Sequence, residues 1–170
     1  DGGFFVAMTF ADGADVPYGN TANILFDMKV FNEMGLFFEP SMRFTGGTDT
    51  LLGMQIKKNG GRMVWASEAR VRELVPASRT TAKWLISRKF REGNTFVLSE
   101  KLSGSSLQRQ AYLFASGLAR VVGGALLSVV SLVRGRAKRV QAISRMARGL
   151  GMLNAFAGRR YDEYKKIHGS

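Results

Sequence analysis

One aspartate stands where a carboxylate could meet a ligand. Asp49 follows Gly46-Gly47-Thr48, and two glycines let a backbone turn tightly and approach a ligand. A helix-like stretch, Thr50 to Lys58, comes next, so the carboxylate lies at an element's edge, open to a cleft. Thr48 or Asp49 would serve equally as a helix N-cap, and residue type alone leaves both readings open. A second group is cationic. Arg88 and Arg91 are three apart on a predicted helix, with Trp84 four residues before Arg88 on the same face and Arg79 just upstream. Paired guanidinium groups suit bidentate recognition of phosphate or diphosphate; a solvated helix face explains the same charges. The third group is the turn Tyr18-Gly19-Asn20-Thr21-Ala22-Asn23. Thr21, Asn23 and the tyrosine ring offer the hydrogen bonding and stacking that a sugar requires, and a turn requires the same residue types.

Composition removes other chemistries. The 170 residues contain no cysteine and one histidine, His168. Disulfides, thiolate zinc sites and cysteine nucleophiles are excluded, and a reducing compartment fits. A Ser-His-Asp triad or a histidine-rich metal site lacks its residues. No metal-ligating set is predicted in this chain.

The elements that must position these groups read as alternating short strands and helices over residues 1–100. Asp27 caps a short helix through Met34 that Gly35 closes. The helix to Lys58 ends at Asn59-Gly60-Gly61. Arg62–Ala66 reads as a strand, Pro76 breaks the chain, and a helix starts near Ser78–Thr81 and runs through Trp84 to about Arg91. Alternation of this kind predicts an α/β class. The chain opens on Asp1 and the apolar run Phe4–Met8, without the charged start of a signal peptide; it reads as a fragment that lacks an N-terminal portion.

Charge divides the chain. Residues 1–100 hold 12 Lys and Arg against 11 Asp and Glu, whereas residues 101–170 hold 13 against 2. The second part should be drawn to an anionic partner. It begins after a linker, Ser103–Ser106, with an apolar run from Ala111 to Val133 that Arg120 interrupts. About 20 residues suffice to span a bilayer, but a central arginine costs a few kcal/mol there, so a spanning helix and an interfacial one both remain open. On a helix, Arg134, Lys138, Arg145 and Arg148 fall in one arc of about 80°. Val140, Ile143, Met146, Ala147 and Leu150 fall opposite, the form of a membrane-surface element.

Taken in order, these pieces resemble one family. The strings GNTANILFD and GGTDTLLGMQIKKNGGRMVWASEARVRELVPASRTTAKWLISRKFREGNT are similar to the C-terminal half of bacterial family 2 inverting glycosyltransferases, enzymes of exopolysaccharide and glycolipid assembly. The resemblance covers about residues 15–95, and the tail GMLNAFAGRRYDEY extends it. It implies the C-terminal part of a GT-A, Rossmann-like α/β domain over residues 1–100, on the acceptor side, and a basic membrane-associated helical tail over 101–170. It implies Asp49 as the base that deprotonates an acceptor hydroxyl, with Thr21, Asn23, Gly46, Gly47, Trp84, Arg79, Arg88 and Arg91 binding substrate. The implied partners are a nucleotide-sugar donor, a lipid or polysaccharide acceptor and the anionic cytoplasmic face of the cell membrane, with no nucleic acid. The implied cofactor is a divalent cation, Mg or Mn, whose ligands belong to the missing half.

Two departures stand out. Many relatives carry Glu before the aspartate where this chain has Thr48, and the family's Asp-x-Asp motif does not occur; Asp12 and Asp15 have the wrong spacing and neighbours to replace it. The isolated chain is therefore expected neither to bind donor well nor to catalyse transfer. The alternative is a non-catalytic basic module for membranes or nucleic acid. Tyr112, Phe114, Phe156, Tyr161 and Tyr164 are too scattered to form a base-stacking platform, which disfavours nucleic acid.

Overall fold

Helix α2, Thr48–Lys58, links the two halves of the core. The chain enters it through Gly46 and Gly47, at φ +74° and +81°, a left-handed geometry open to glycine at little cost. It leaves through Asn59 and Gly60, with the Gly61 and Gly60 amides donating to the Ile56 and Lys57 carbonyls, the double bond pattern of a Schellman cap. Leu51 and Leu52 are both about 1% exposed but face different clusters. Leu51 joins Met42, Val97, Leu98, Leu113 and Met152, while Leu52 and Ile56 join Val16, Val30 and Met63. Each leucine so buried is worth about 1.5–3 kcal/mol. The computed structural model describes residues 9–162. The apolar run Phe4–Met8, Tyr164, His168 and the end of the tail string lie outside them.

Before α2 the chain is mostly irregular. A short helix, α1, Lys29–Asn32, forms where Asp27 was expected to cap one, with the Asp27 carboxylate accepting from the Lys29 amide at 2.9 Å. Gly35 follows at φ +64°.

The predicted strand at Arg62–Ala66 is overturned, and the α/β class with it. Among the described residues there is no strand and no sheet, only an isolated antiparallel bridge between Asp15 and Val64. Its bonds are the Gly13 amide to the Trp65 carbonyl, Trp65 to Ala14, and Val16 to Met63. They cannot propagate. Pro17 follows Val16 and lacks an N–H, the Gly60-Gly61 turn ends the partner segment, and Asp12-Gly13 turns away at the other side. The described fold is helical, so the Rossmann-like, GT-A reading of this segment fails.

The remainder is three long helices. α3, Ala82–Leu102, starts with the Thr81 hydroxyl accepting from the Trp84 amide at 3.2 Å. It runs eleven residues past the expected end at Arg91. Gly93 and Asn94 look like a helix stop and are instead a contact point, as described below. α4, Leu107–Val130, is capped by Ser106 and continues in a 3-10 turn, Ser131–Val133. The stretch Leu107–Val133, 27 residues, is long and apolar enough to cross a membrane by length and composition. α5, Arg136–Phe156, packs on both α3 and α4, so residues on either side of the Ser103–Ser106 turn share one interface.

Small residues bring these helices together. A Cβ built on Gly93 would sit 2.1 Å from the Arg148 carbonyl oxygen, and one on Gly151 would sit 1.9 Å from that of Phe90. Between α4 and α5, a Cβ on Gly124 would meet the Met146 nitrogen at 2.6 Å and one on Gly149 the Gly117 oxygen at 2.6 Å. Close backbone approach through small residues is the packing mode of helices that cannot rely on water to drive them together. It also explains why α5 buries Ala142, Ser144, Ala147, Gly149 and Gly151, while Leu150, placed on its apolar face by the helical arc, stays 42% exposed.

Candidate active site

Asp49 occupies the second position of α2, with Gly47 as N-cap and no side-chain capping bond there. Its carboxylate is half-buried, and Oδ1 accepts from the Thr50 amide at 2.8 Å. Asp49 is thus not the N-cap residue. It does lie in the first helical turn, where a carboxylate complements the helix dipole, so a structural role stands beside any catalytic one.

The Gly46-Gly47 turn is seated on α3. A Cβ on Gly47 would lie 3.2 Å from Thr95 Cβ, and the Ser99 hydroxyl lies 3.5 Å from the Gly47 carbonyl. Thr95 in turn donates to the carbonyl of Arg91 at 2.8 Å. Thr95 and Ser99 of α3 thus seat the Gly46-Gly47 turn from which Asp49 follows.

Arg88 and Arg79 are held by acids of their own. Arg88 stacks over Trp84, with its guanidinium carbon 5.2 Å from the ring centroid, and its Nε donates to Glu92 at 3.0 Å. Lys89 donates to the same carboxylate at 2.7 Å, and Arg148 of α5 stands 4.0 Å away. Burial pushes the Glu92 carboxyl up, but Lys89 and Arg88 outweigh it and hold it below the ordinary glutamate range. Arg79 lies on a 3-10 turn, Ala77–Thr80, and pairs with Glu73 at 3.7 Å, both largely exposed.

Thr21 and Asn23 lie on the 3-10 turn Thr21–Asn23. Asn23 uses its side-chain amide to hold the Ala69 carbonyl at 2.6 Å. Their segment reaches α2 through Tyr18, whose Cα would lie 3.2 Å from a Cβ on Gly53. No hydrogen bond or ion pair among the described residues joins Thr21, Asn23, Arg79 or Arg88 to Asp49.

One organising residue went unrecognised in the sequence. Asn94 is fully buried; its amide nitrogen donates to the carbonyls of Gly151 and Arg159 at 3.3 and 3.0 Å and to Asn154 Oδ1 at 3.1 Å. Its oxygen accepts from the Tyr161 amide at 3.1 Å. Tyr161 packs edge-on against Phe90, and Arg160 reaches the Ser41 carbonyl at 3.3 Å. Asn94 therefore ties the REGN string of α3 to the GRRY string of the tail, two parts of the resemblance that are 65 residues apart. Its place beside Gly93 was the available signal.

A divalent cation finds no fitting donor set among the described residues. Among the described residues no three His, Cys, Asp or Glu side chains gather to hold a metal. Asp12 accepts from the Ser67 amide at 2.8 Å, and Asp15 pairs with Lys57, so both carboxylates are committed to the fold.

No family model matches the chain, and no solved structure matches it significantly. A curated relative does. The chain is 34% identical over 103 residues to the succinoglycan biosynthesis protein ExoM of Rhizobium meliloti (strain 1021), a match covering 59% of this chain and 32% of that protein. The matched region thus spans about a third of the relative's length, and by it the chain is related to a protein of succinoglycan biosynthesis.

Proposed function

We propose that this chain is part of a glycosyltransferase of exopolysaccharide assembly, acting at the cytoplasmic face of a membrane, with Asp49 as its general base. The observation that carries the reading is the 34% identity over 103 residues to a succinoglycan biosynthesis protein. The local geometry supports it, because the Gly46-Gly47 turn holds Asp49 at the mouth of α2 and beside α3.

In the proposed reaction Asp49 accepts the proton of an acceptor hydroxyl as that oxygen attacks the anomeric carbon of a nucleotide sugar. The new C–O bond forms as the bond to the nucleoside diphosphate breaks, the leaving group keeps the electron pair, and configuration inverts. Arg79, Arg88 and Arg91 are the cations proposed to meet negative charge on the leaving group. Arg79 and Arg88 would have to exchange Glu73 and Glu92 for a phosphate, and Trp84, stacked under Arg88, would hold that guanidinium in place. Thr21, Asn23 and the Gly46-Gly47 backbone complete the proposed substrate surface. The apolar face of α4 and the cations of residues 101–170 are assigned to the membrane.

The test is transfer of labelled sugar from a panel of nucleotide sugars, in membranes of cells expressing the gene that carries this sequence. Asp49→Asn should lower transfer by about 10²–10⁴, the usual worth of a positioned base, while donor binding persists. Equal transfer by both proteins would reduce Asp49 to a helix-turn residue.

A further inference from the structure

Between α4 and α5 runs a groove of about 250 Å³, lined by Leu127, Val130 and Ala142 on its apolar side and by Arg134, Lys138 and Arg145 on its polar side. Among the described residues no acid pairs with Arg134, Lys138 or Arg145. From Lys101 through Arg160 the sequence has eleven Lys and Arg and no Asp or Glu. Elsewhere on α4, Arg120 Nε is buried with no hydrogen-bond partner among the described residues, and its charge is felt beside those of Arg145 and Arg148. The groove's own cations, Arg134, Lys138 and Arg145, without a counter-ion among the described residues, call for an anion from outside the chain.

The apolar side says which kind. The groove opens beside a strip of exposed residues, with Leu126 64%, Val129 66% and Val133 90% exposed. A free phosphate has no use for such a surface, whereas an amphiphile uses both sides at once. We infer that the α4–α5 groove seats an anionic phospholipid, its phosphate on Arg134, Lys138 and Arg145 and its chain against Leu127, Val130 and the outer strip of α4. This inference rests on the membrane-associated reading above and narrows it to one lipid seat, where a diffuse basic surface would require none.

Binding of the full chain to phosphatidylglycerol-containing vesicles tests it, with two double variants of equal charge. Lys138→Gln with Arg145→Gln empties the groove; Arg136→Gln with Arg139→Gln removes two exposed cations of α5 that do not line it. The first pair should weaken binding at least about tenfold more than the second, the worth of a charge-assisted hydrogen bond. Lys138→Arg should retain binding, and thermal melts of each variant establish that it is folded. Equal losses in the two pairs overturn the seat and leave the membrane reading intact. No binding by the unaltered chain overturns both. A third arm titrates inorganic phosphate against short-chain phosphatidylglycerol; phosphate displacing the lipid at equal concentration would mean a simple anion site and would overturn the lipid assignment.

Discussion

At Asp49, the cap and base readings predict different neighbours, and the structure separates part of the question. A cap would stand at the position Gly47 occupies and accept from an amide two or three residues on; Asp49 instead accepts from the adjacent Thr50. Arg88 shows the opposite lesson. Its spacing to Arg91 suggested phosphate recognition, yet its nearest anion is Glu92, one turn along the same helix. Glu92 carries a testable consequence. Its carboxyl is held below the ordinary range by Lys89 and Arg88 against the cost of burial, so the folded state binds its proton less tightly than the unfolded chain. The stability it contributes is complete above the unfolded glutamate pKa of about 4.3 and is lost as pH falls through the lower folded value. Glu92→Gln should therefore lower stability at neutral pH by roughly 1 kcal/mol, the upper range for a partly exposed pair, and flatten its decline on acidification. Urea midpoints between about pH 7 and pH 3 decide this; an unchanged acid limb would assign the loss to other carboxylates.

Among the elements, helix contacts through glycine govern the packing. Gly93→Ala places a methyl group 2.1 Å from the Arg148 carbonyl oxygen, backbone that cannot swing aside as a side chain can. Overpacking of this kind costs about 1–3 kcal/mol or more, and here it also strains the Asn94 bonds one residue away. Gly123 supplies the control, since a Cβ there meets nothing nearer than Arg145 Nε at 4.0 Å. Gly123→Ala should be neutral or stabilising by up to about 1 kcal/mol, the helix propensity gained. Destabilisation of both by the same amount in urea titrations would show that the contacts do not decide. These contacts mark the limit of what the sequence could disclose. Helix α2 was legible because its signals are local: paired glycines before it and Asn59-Gly60-Gly61 after it. The strand at Arg62–Ala66 was misread because a strand exists only through a partner, and the partner segment meets Pro17 after one bridge. The end of α3 was misplaced because Gly93-Asn94 serves a contact with α5 some 60 residues later, which no local pattern records. At the site, the Gly46–Asp49 turn was legible for the same local reason, whereas the pairing of Arg79 and Arg88 and the role of Asn94 depend on the tertiary fold.

Over the whole molecule, the uneven charge sets a sign that can be measured. Residues 9–100 pair many of their charges, as in Lys57 with Asp15 and Arg88 with Glu92. Beyond them, the Glu100–Arg109 pair at 2.6 Å ties α3 to the first turn of α4, after which α4 and α5 carry cations alone. Cations held close on two packed helices repel one another and destabilise the compact state. Salt relieves that repulsion: the Debye length falls from about 30 Å at 0.01 M to about 8 Å at 0.15 M. The same salt weakens the ion pairs, but Glu100 is 8% exposed and partly buried pairs are screened much less. Repulsion should therefore dominate, and the melting temperature of the chain should rise by a few degrees over that range, about what 1 kcal/mol gives for a domain of this size. Removing Arg136 and Arg139 should reduce the salt effect by relieving the repulsion directly. A melting temperature that falls with salt would place the balance in the ion pairs of the first half, and the basic helices would then need no external anion to be stable.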